Sequence, residues 1–221
     1  MQTIITFPEV TLSTRDAHKL RGYIGNLFQD RSPLLHNHLE ASGKFRYAYP
    51  LVQYKVVRGL PMLIGYKEGA KLLMELFLDI KEIQIEKLTI PVPSKNIACT
   101  ELNADYSDNL QQYQFQTLWM PLNQKNYKEY RTLDKSAQNE KLQILLRNHI
   151  LAAFKGLGVW LEAHERIMCM VQVEERKTQF KEQQMMAFSG SFTTNANLPD
   201  YIGLGKSVAR GFGTIVRKSE K

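Results

Sequence analysis

The sequence predicts an α+β protein made of two similar halves, each with a sheet of antiparallel strands and helices packed on it. Strand and helix patterns in residues 2–92 follow the order β-α-β-β-α-β, which is the ferredoxin-like (RRM-like) arrangement. A similar order returns in the second half, where a glycine-rich stretch stands in place of the second helix. We therefore predict two tandem ferredoxin-like βαββαβ domains, residues 1–95 and 108–221, the second of which carries a C-terminal glycine-rich loop.

Length and composition agree with two folded domains. The 221 residues suit two domains of about a hundred residues each, and 43% hydrophobic content excludes a globally disordered chain. The formal net charge of +7 favours a polyanionic partner. The two cysteines, Cys99 and Cys169, are far apart, which argues against a disulfide scaffold or a cysteine-based zinc site. Neither a signal peptide nor a membrane-spanning run is recognisable, so we predict a cytoplasmic protein with no membrane association.

In the first half, Ser13 or Thr14 offers an N-cap for a helix that ends before residue 29. The turn signal Arg58-Gly59-Leu60-Pro61 joins two strands rich in aromatic and β-branched residues. A second helix, over residues 67–77, turns Ala70, Leu73, Met74 and Phe77 inward. The strands are expected at residues 2–12, 45–57, 62–66 and 82–92.

Residues 93–111 lose periodicity and are expected to join the halves. One helix is expected after them, over residues 137–154, and Gly156 or Gly158 would end it. The charged segment 174–182 is expected to separate the two middle strands. The strands of the second half are expected at residues 113–122, 167–173, 185–192 and 212–217.

The glycine-rich stretch is the most distinctive part of the chain. Four glycines fall within residues 203–213, interleaved with Lys206, Ser207 and Arg210. Glycine permits positive φ angles and close backbone approach, so free amides and nearby cations there could bind an anion. A Walker A loop is excluded because Asp200 stands where that motif needs its first glycine, and Val208 likewise breaks the dinucleotide-binding pattern. A glycine-rich hairpin without a ligand stays open as the alternative.

The residues Gly-Leu-Gly-Lys-Ser-Val-Ala-Arg-Gly-Phe-Gly-Thr-Ile, 203–215, resemble the C-terminal glycine-rich loop of the RAMP superfamily. In particular they resemble the loop of CRISPR-associated endoribonucleases that cut precursor guide RNA within its repeats. The resemblance implies tandem ferredoxin-like domains, CRISPR precursor RNA as partner, and no cofactor. It leaves open a homodimer and association with other CRISPR effector subunits. Because the superfamily also contains non-catalytic subunits that bind guide RNA, such a subunit is the alternative function.

The candidate catalytic residues begin with the pair His36 and His38. Cleavage of RNA by its own 2′-hydroxyl needs a base, an acid and positive charge, and two histidines with Lys44 nearby could supply all three. The family commonly carries a catalytic histidine after the first helix, aided by tyrosine or lysine, and one branch carries a close pair. The resemblance therefore implies His36 and His38 as catalytic residues, with Lys44, Tyr47 and Tyr49 as helpers. The expected products carry a 2′,3′-cyclic phosphate and a 5′-hydroxyl.

A zinc site is the competing interpretation of His36 and His38, since a His-x-His pair on an extended segment can bind zinc. It needs a further ligand, for which Glu40 and Cys99 are conceivable, but their spacing selects neither. We predict no metal. For RNA binding, the predicted residues are Gly203, Gly205, Lys206, Ser207, Arg210 and Gly211, followed by Arg15, Lys19 and Arg21 on the first helix.

Overall fold

The computed structural model describes residues 1–28, 30–35, 49–180 and 183–218. These residues form two compact units. The first comprises Met1–Leu102 and Val208–Gly211, and the second comprises Asn103–Ser207 and Phe212–Lys221. In each unit the strand order is that of a ferredoxin-like sheet, so the predicted fold class of two such units in tandem is confirmed.

The described residues of the first unit form six strands and two α-helices. Its main sheet has the antiparallel order β2-β3-β1-β6, and β4 and β5 form a separate hairpin. Arg58 and Gly59, with φ angles of 51° and 86°, make the tight turn between β2 and β3. The elements are β1 (Gln2–Thr6), α1 (Ala17–Leu27), β2 (Val52–Val57), β3 (Leu60–Tyr66), α2 (Glu68–Leu76), β4 (Glu82–Ile85), β5 (Leu88–Pro91) and β6 (Asn96–Thr100).

Both helices of this unit pack an apolar face on the sheet. A capping box of Ser13 and Asp16 starts the single 3-10 turn that leads into α1, as the sequence indicates. Ala17, Leu20 and Ile24 of α1 are buried, and so are Ala70 and Leu73 of α2. Met74, which the helical pattern placed inward, is instead exposed, and so is Leu27 at the end of α1.

The strand expected over residues 82–92 is wrong in its extent and in its place. Glu86 adopts a positive φ of 56°, which turns the chain between β4 and β5 and makes a hairpin. The fourth strand of the main sheet is β6, which lies in the segment expected to be a connection. All five residues of β6 are exposed, so no alternation of apolar side chains could reveal it. Main-chain pairing with β1 holds this edge strand.

The second unit places four strands in the antiparallel order β10-β7-β9-β8. As expected, no α-helix precedes its last strand: the fully described residues 183–218 contain only the single 3-10 turn Val208–Arg210. Gly158, with φ of 76°, ends the long helix. The elements are β7 (Asp105–Phe115), α3 (Gln124–Thr132), α4 (Lys135–Leu157), β8 (Cys169–Phe180), β9 (Gln183–Asn197) and β10 (Ile215–Arg217).

Three features of the second unit differ from the sequence prediction. The first strand begins at Asp105, eight positions before its predicted start at residue 113. The helix α3 was not predicted, because Tyr130 is its one buried residue and it has almost no apolar face. The charged residues 174–180 extend β8 rather than separating two strands, since an edge strand can carry charge toward solvent. In the part of the chain that the structure describes, no helix has the length and apolar character needed to span a membrane.

Candidate nucleic-acid interface

The glycines of the last segment are used for close packing. Gly211 has a φ of 91°, and a Cβ atom there would lie 2.7 Å from the Cβ of Ala17 and 3.3 Å from the carbonyl oxygen of Tyr54. Gly205 has a φ of 96°, and its Cβ would lie 2.9 Å from Nε1 of Trp119. A side chain at either position would therefore strain the backbone and displace a neighbour.

Several backbone amides of the segment already donate to carbonyl groups of the protein. The Lys206 amide donates to the Met120 carbonyl at 3.0 Å, and the Gly211 amide donates to the Val208 carbonyl at 3.2 Å. Gly203 is buried and forms an isolated bridge with Thr214. An anion cradle made of these amides, as the glycine pattern suggested, therefore has no support here. What the segment offers to a polyanion is the side chains of Lys206, which is exposed, and of Ser207 and Arg210, which are half-buried.

Arg21 and Arg210 are brought together within the first unit. Arg21 lies on α1, and Arg210 lies in the 3-10 turn that packs against α1 and β2. Burial lowers the pKa of the Arg21 guanidinium below its ordinary value, and the charge of Arg210 lowers that pKa further. Two neighbouring cations repel each other, so a phosphate placed against both would relieve that repulsion. These two predicted binding residues form one candidate phosphate site.

The other cations predicted from the first helix are placed differently. Lys19 forms ion pairs with Asp16 and Glu86, both at 2.8 Å, and hydrogen bonds to these carboxylates raise its pKa. Its charge is thus neutralised within the protein. Arg15 lies in the 3-10 turn Thr14–Asp16 before α1 and is exposed.

The predicted catalytic residues fall mostly outside the described part of the chain. His36, His38, Lys44 and Tyr47 lie outside the described residues. Tyr49 is described: its hydroxyl accepts a hydrogen bond from Nε2 of Gln53 at 2.9 Å. The metal alternative also depends on His36 and His38 and is therefore not tested: the described residues, which do not include this pair, contain no group of three or more His, Cys, Asp or Glu side chains suited to a metal ion.

Both flanks of the histidine segment are attached to β2. Before it, the Tyr54 hydroxyl donates to the carbonyl of Leu35 at 3.3 Å, and Leu35 is itself buried. After it, the Gln53 amide donates to the Tyr49 hydroxyl and to the Pro50 carbonyl. Two consecutive residues of one buried strand, Gln53 and Tyr54, therefore bind the described residues on either side of the segment.

Lys55 is the residue that sequence reasoning missed. It follows Tyr54 on β2, is 0% exposed, and donates through Nζ to the Val208 carbonyl at 3.1 Å. Burial lowers its pKa to about 7. In the sequence, Gln53 and Lys55 alternate with apolar residues, a pattern that predicts one solvent-facing side of the strand. Residues 153 positions later return to this side, where the Val208 carbonyl accepts from Lys55.

Two consecutive ferredoxin-like units define an α+β protein with tandem ferredoxin-like domains, which is the architecture that the resemblance to the RAMP superfamily implies. The family follows from comparison with family models. Residues 2–103 match the model of the Cas6b N-terminal domain and residues 105–218 match that of the Cas6b C-terminal domain, so the chain belongs to the Cas6b family. The sequence-based recognition of a CRISPR-associated endoribonuclease is thereby confirmed at the level of the family.

Individual proteins support this assignment. A crystal structure of Cas6b superposes with a TM-score of 0.92, at 33% identity over 98% of both chains. A structure described as CRISPR RNA processing endoribonuclease Cas6b superposes with a TM-score of 0.78, at 31% identity over 98% of both chains. The uncharacterised protein MJ0978 of Methanocaldococcus jannaschii is 30% identical over 147 residues, which are 66% of this chain and 99% of that protein.

Proposed function

We propose that this chain is a metal-independent endoribonuclease that cuts CRISPR precursor RNA within its repeats by attack of the RNA's own 2′-hydroxyl. The observation that carries the proposal, in a chain of the Cas6b family, is that β2 bonds both to the flanks of the histidine pair and to the turn that carries Arg210. This strand holds Leu35 and Tyr49 on either side of the histidine pair, and it also holds the turn that carries Arg210. The described residues that flank the predicted catalytic pair, and the turn that carries Arg210, are thus attached to one rigid element.

The reaction needs no external nucleophile. The 2′-oxygen attacks the adjacent phosphorus while a base takes its proton, and an acid protonates the departing 5′-oxygen. The products are a 2′,3′-cyclic phosphate and a 5′-hydroxyl. We assign the base and the acid to His36 and His38, in either order. Lys44 supplies positive charge for the oxygens of the pentacovalent intermediate, and Tyr47 and Tyr49 help to orient the phosphate.

Phosphate binding is assigned first to Arg21 and Arg210. Their adjacency is the charge arrangement that a bridging phosphodiester satisfies best, because guanidinium groups bind phosphate oxygens with paired hydrogen bonds. Lys206, Ser207 and Arg15 add contacts along the RNA. Gly203, Gly205 and Gly211 act through backbone shape. Lys19 contributes less, since Asp16 and Glu86 already hold it. A cytoplasmic location remains a prediction from the sequence, and a homodimer and association with other CRISPR effector subunits remain possibilities that the resemblance leaves open.

The deciding experiment incubates the protein with the repeat RNA of its own host in EDTA and maps both product ends. We expect one cleavage site, a 2′,3′-cyclic phosphate upstream and a 5′-hydroxyl downstream. A matched RNA with a single 2′-deoxy group just before the scissile phosphate should bind but remain intact. Cleavage of that RNA, or cleavage only with added divalent metal, would exclude the mechanism. Tight binding of the natural repeat without any cleavage would favour the non-catalytic guide-RNA subunit instead.

A further inference from the structure

A buried lysine of the first unit, Lys55, has no carboxylate partner among the described residues. The side chain of Lys55 has no exposure to solvent, and among the described residues no acidic side chain pairs with it. Its one described hydrogen bond is the donation to the Val208 carbonyl. Burying an amine in this way costs free energy unless hydrogen bonds to the surrounding protein compensate for its lost hydration.

The Val208 carbonyl belongs to the turn that carries Arg210. This oxygen accepts from Lys55 and also from the amide of Gly211, which closes the turn. The missing side chain of Gly211 lets the same turn lie against Ala17 of α1 and Tyr54 of β2. The turn is therefore held on both sides of Arg210, by a hydrogen bond before it and by close packing after it.

We propose that Lys55 is a positioning residue for RNA binding, which holds the turn Val208–Arg210 on β2 so that Arg210 stays beside Arg21. The inference rests on the proposed RNA-binding function of this arginine pair. Lys55 does not itself touch RNA, because no part of its side chain reaches the surface. It acts through the Val208 carbonyl.

The physical need for such a residue is the repulsion between the two guanidinium groups. Without a bound phosphate, Arg21 and Arg210 disfavour each other's approach, and a turn free to move would separate them. Ordering the turn at the moment of binding would weaken affinity, whereas a turn already held avoids that cost. A charged or a neutral amine can donate to a carbonyl, so Lys55 serves in both protonation states.

The test compares Lys55→Met with Arg210→Ala and with the double variant, measuring repeat-RNA affinity and single-turnover cleavage at saturating RNA. We expect each single change to raise Kd by about tenfold, the size of effect that loss of one charge-assisted contact produces. The double variant should be no weaker than Arg210→Ala alone, because Lys55 acts through Arg210. In each variant the loss in cleavage rate at saturation should be smaller than the loss in affinity, because the change acts on binding rather than on proton transfer.

Val56→Ala is the matched control. Val56 is the next residue on β2, is buried in the apolar core, and has no bond to the turn. It should reduce the unfolding temperature but leave Kd unchanged, which separates positioning from general destabilisation. The proposal would be overturned if the increase in Kd of the Lys55→Met/Arg210→Ala double variant equals the product of the two single increases. An unchanged Kd in Lys55→Met would overturn it as well.

Hydrogen exchange tests the positioning role without RNA. In Lys55→Met the Gly211 amide should exchange at least about tenfold faster, while the paired amides of β2 and β3 keep their protection. Unchanged protection of Gly211 would refute the role of Lys55 even if the RNA-binding function holds. Faster exchange together with no RNA binding by the wild-type protein would refute the proposed function but not the role of Lys55 in the turn. If Lys55→Met does not fold, Gly211→Ala takes its place, because the added Cβ would displace the same turn. Gly211→Ala should then raise Kd to a similar extent, and an unchanged Kd would refute the proposal.

Discussion

The Nζ atom of Lys55 lies 3.1 Å from the carbonyl oxygen of Val208, a hydrogen bond between residues 153 positions apart. It is one of three attachments made by consecutive residues of β2. Gln53 holds Tyr49, Tyr54 holds Leu35, and Lys55 holds Val208. The strand thereby connects the flanks of the histidine segment with the turn that carries Arg210, and the predictions below follow from this arrangement.

The catalytic assignment predicts that His36→Ala and His38→Ala each slow single-turnover cleavage by about 10²–10⁴-fold, the effect of losing a positioned acid or base. RNA affinity should stay nearly unchanged, because neither histidine is assigned to binding. Single-turnover rates and Kd on the host repeat check this. If one variant alone is slow, the other histidine is a positioning or surface residue. Full activity in the double variant would rule out both.

The phosphate-site assignment predicts that Arg21→Ala and Arg210→Ala each weaken RNA binding and flatten its salt dependence. The slope of log K against log salt concentration should fall by about 0.7 per lost contact to single-stranded RNA, because fewer counterions are released. Lys206→Ala should behave similarly. Lys71→Ala, an exposed lysine on α2, is the control and should leave the slope unchanged. Unaltered slopes in both arginine variants would remove the pair from the binding site.

The enclosure of Lys55 predicts a pH-dependent stability. Burial lowers its pKa to about 7 in the folded protein, whereas the unfolded chain keeps the ordinary value of 10.5. Between these values the unfolded state binds the extra proton, so the free energy of unfolding should rise with pH above 7, by at most about 1.4 kcal/mol per pH unit. Below pH 7 both states are protonated, and this contribution is flat.

Urea unfolding of the wild type and Lys55→Met at pH 6, 7, 8 and 9 measures this contribution. The variant should lack the rise. The range stops at pH 9 because burial raises the pKa of Cys169 to about 11, which destabilises the folded state at higher pH. Parallel curves would mean that Lys55 does not titrate in this range. The titratable groups on the described elements packed against β2 are common to both proteins: Arg15, Asp16, His18, Lys19, Arg21, Tyr23, Tyr66 and Arg210.

We predict opposite changes in stability when two glycines of the first unit are replaced by alanine. Gly22 lies within α1 and has no atom within 4 Å of a built Cβ, so Gly22→Ala should stabilise the protein by about 0.5–1 kcal/mol through helix propensity. Gly211→Ala should destabilise it, since φ is 91° and the new Cβ would meet Ala17 at 2.7 Å. Thermal unfolding compares the two variants. A stabilised Gly211→Ala would contradict the packing of the turn.

The burial of His149, on α4, predicts that the protein loses stability in acid. Burial lowers its pKa to about 4, and its ring lies edge-on to Trp119 at 5.9 Å. The unfolded chain protonates near 6.5, so stability should fall as pH drops from 6.5 to 4, by at most about 3 kcal/mol. His149→Phe should remove this fall, which chemical unfolding at pH 4.5 and 7 would show. An equal acid sensitivity in the variant would assign the effect to other groups.

Much of the fold could be predicted from local patterns. The capping residues Ser13 and Asp16, the turn at Arg58 and Gly59, and the end of α4 at Gly158 each depend on a few neighbouring residues. The sequence of residues 203–215 pointed to the family, and the absence of a helix before the last strand was visible as missing periodicity. The caps, the turn and the end of α4 follow from backbone preferences that act over a few neighbouring residues.

Tertiary structure alone decided the rest. The strand β6 has no buried side chain and exists because β1 offers it main-chain partners. The pairing of Arg21 with Arg210 and the burial of Lys55 bring together residues far apart in the chain. A lysine on a strand reads as solvent-facing until another segment covers it, because burial is a property of the surroundings and not of the residue. In this protein the covering segment is the turn at Val208, which converts an ordinary lysine into the support of a candidate RNA-binding site.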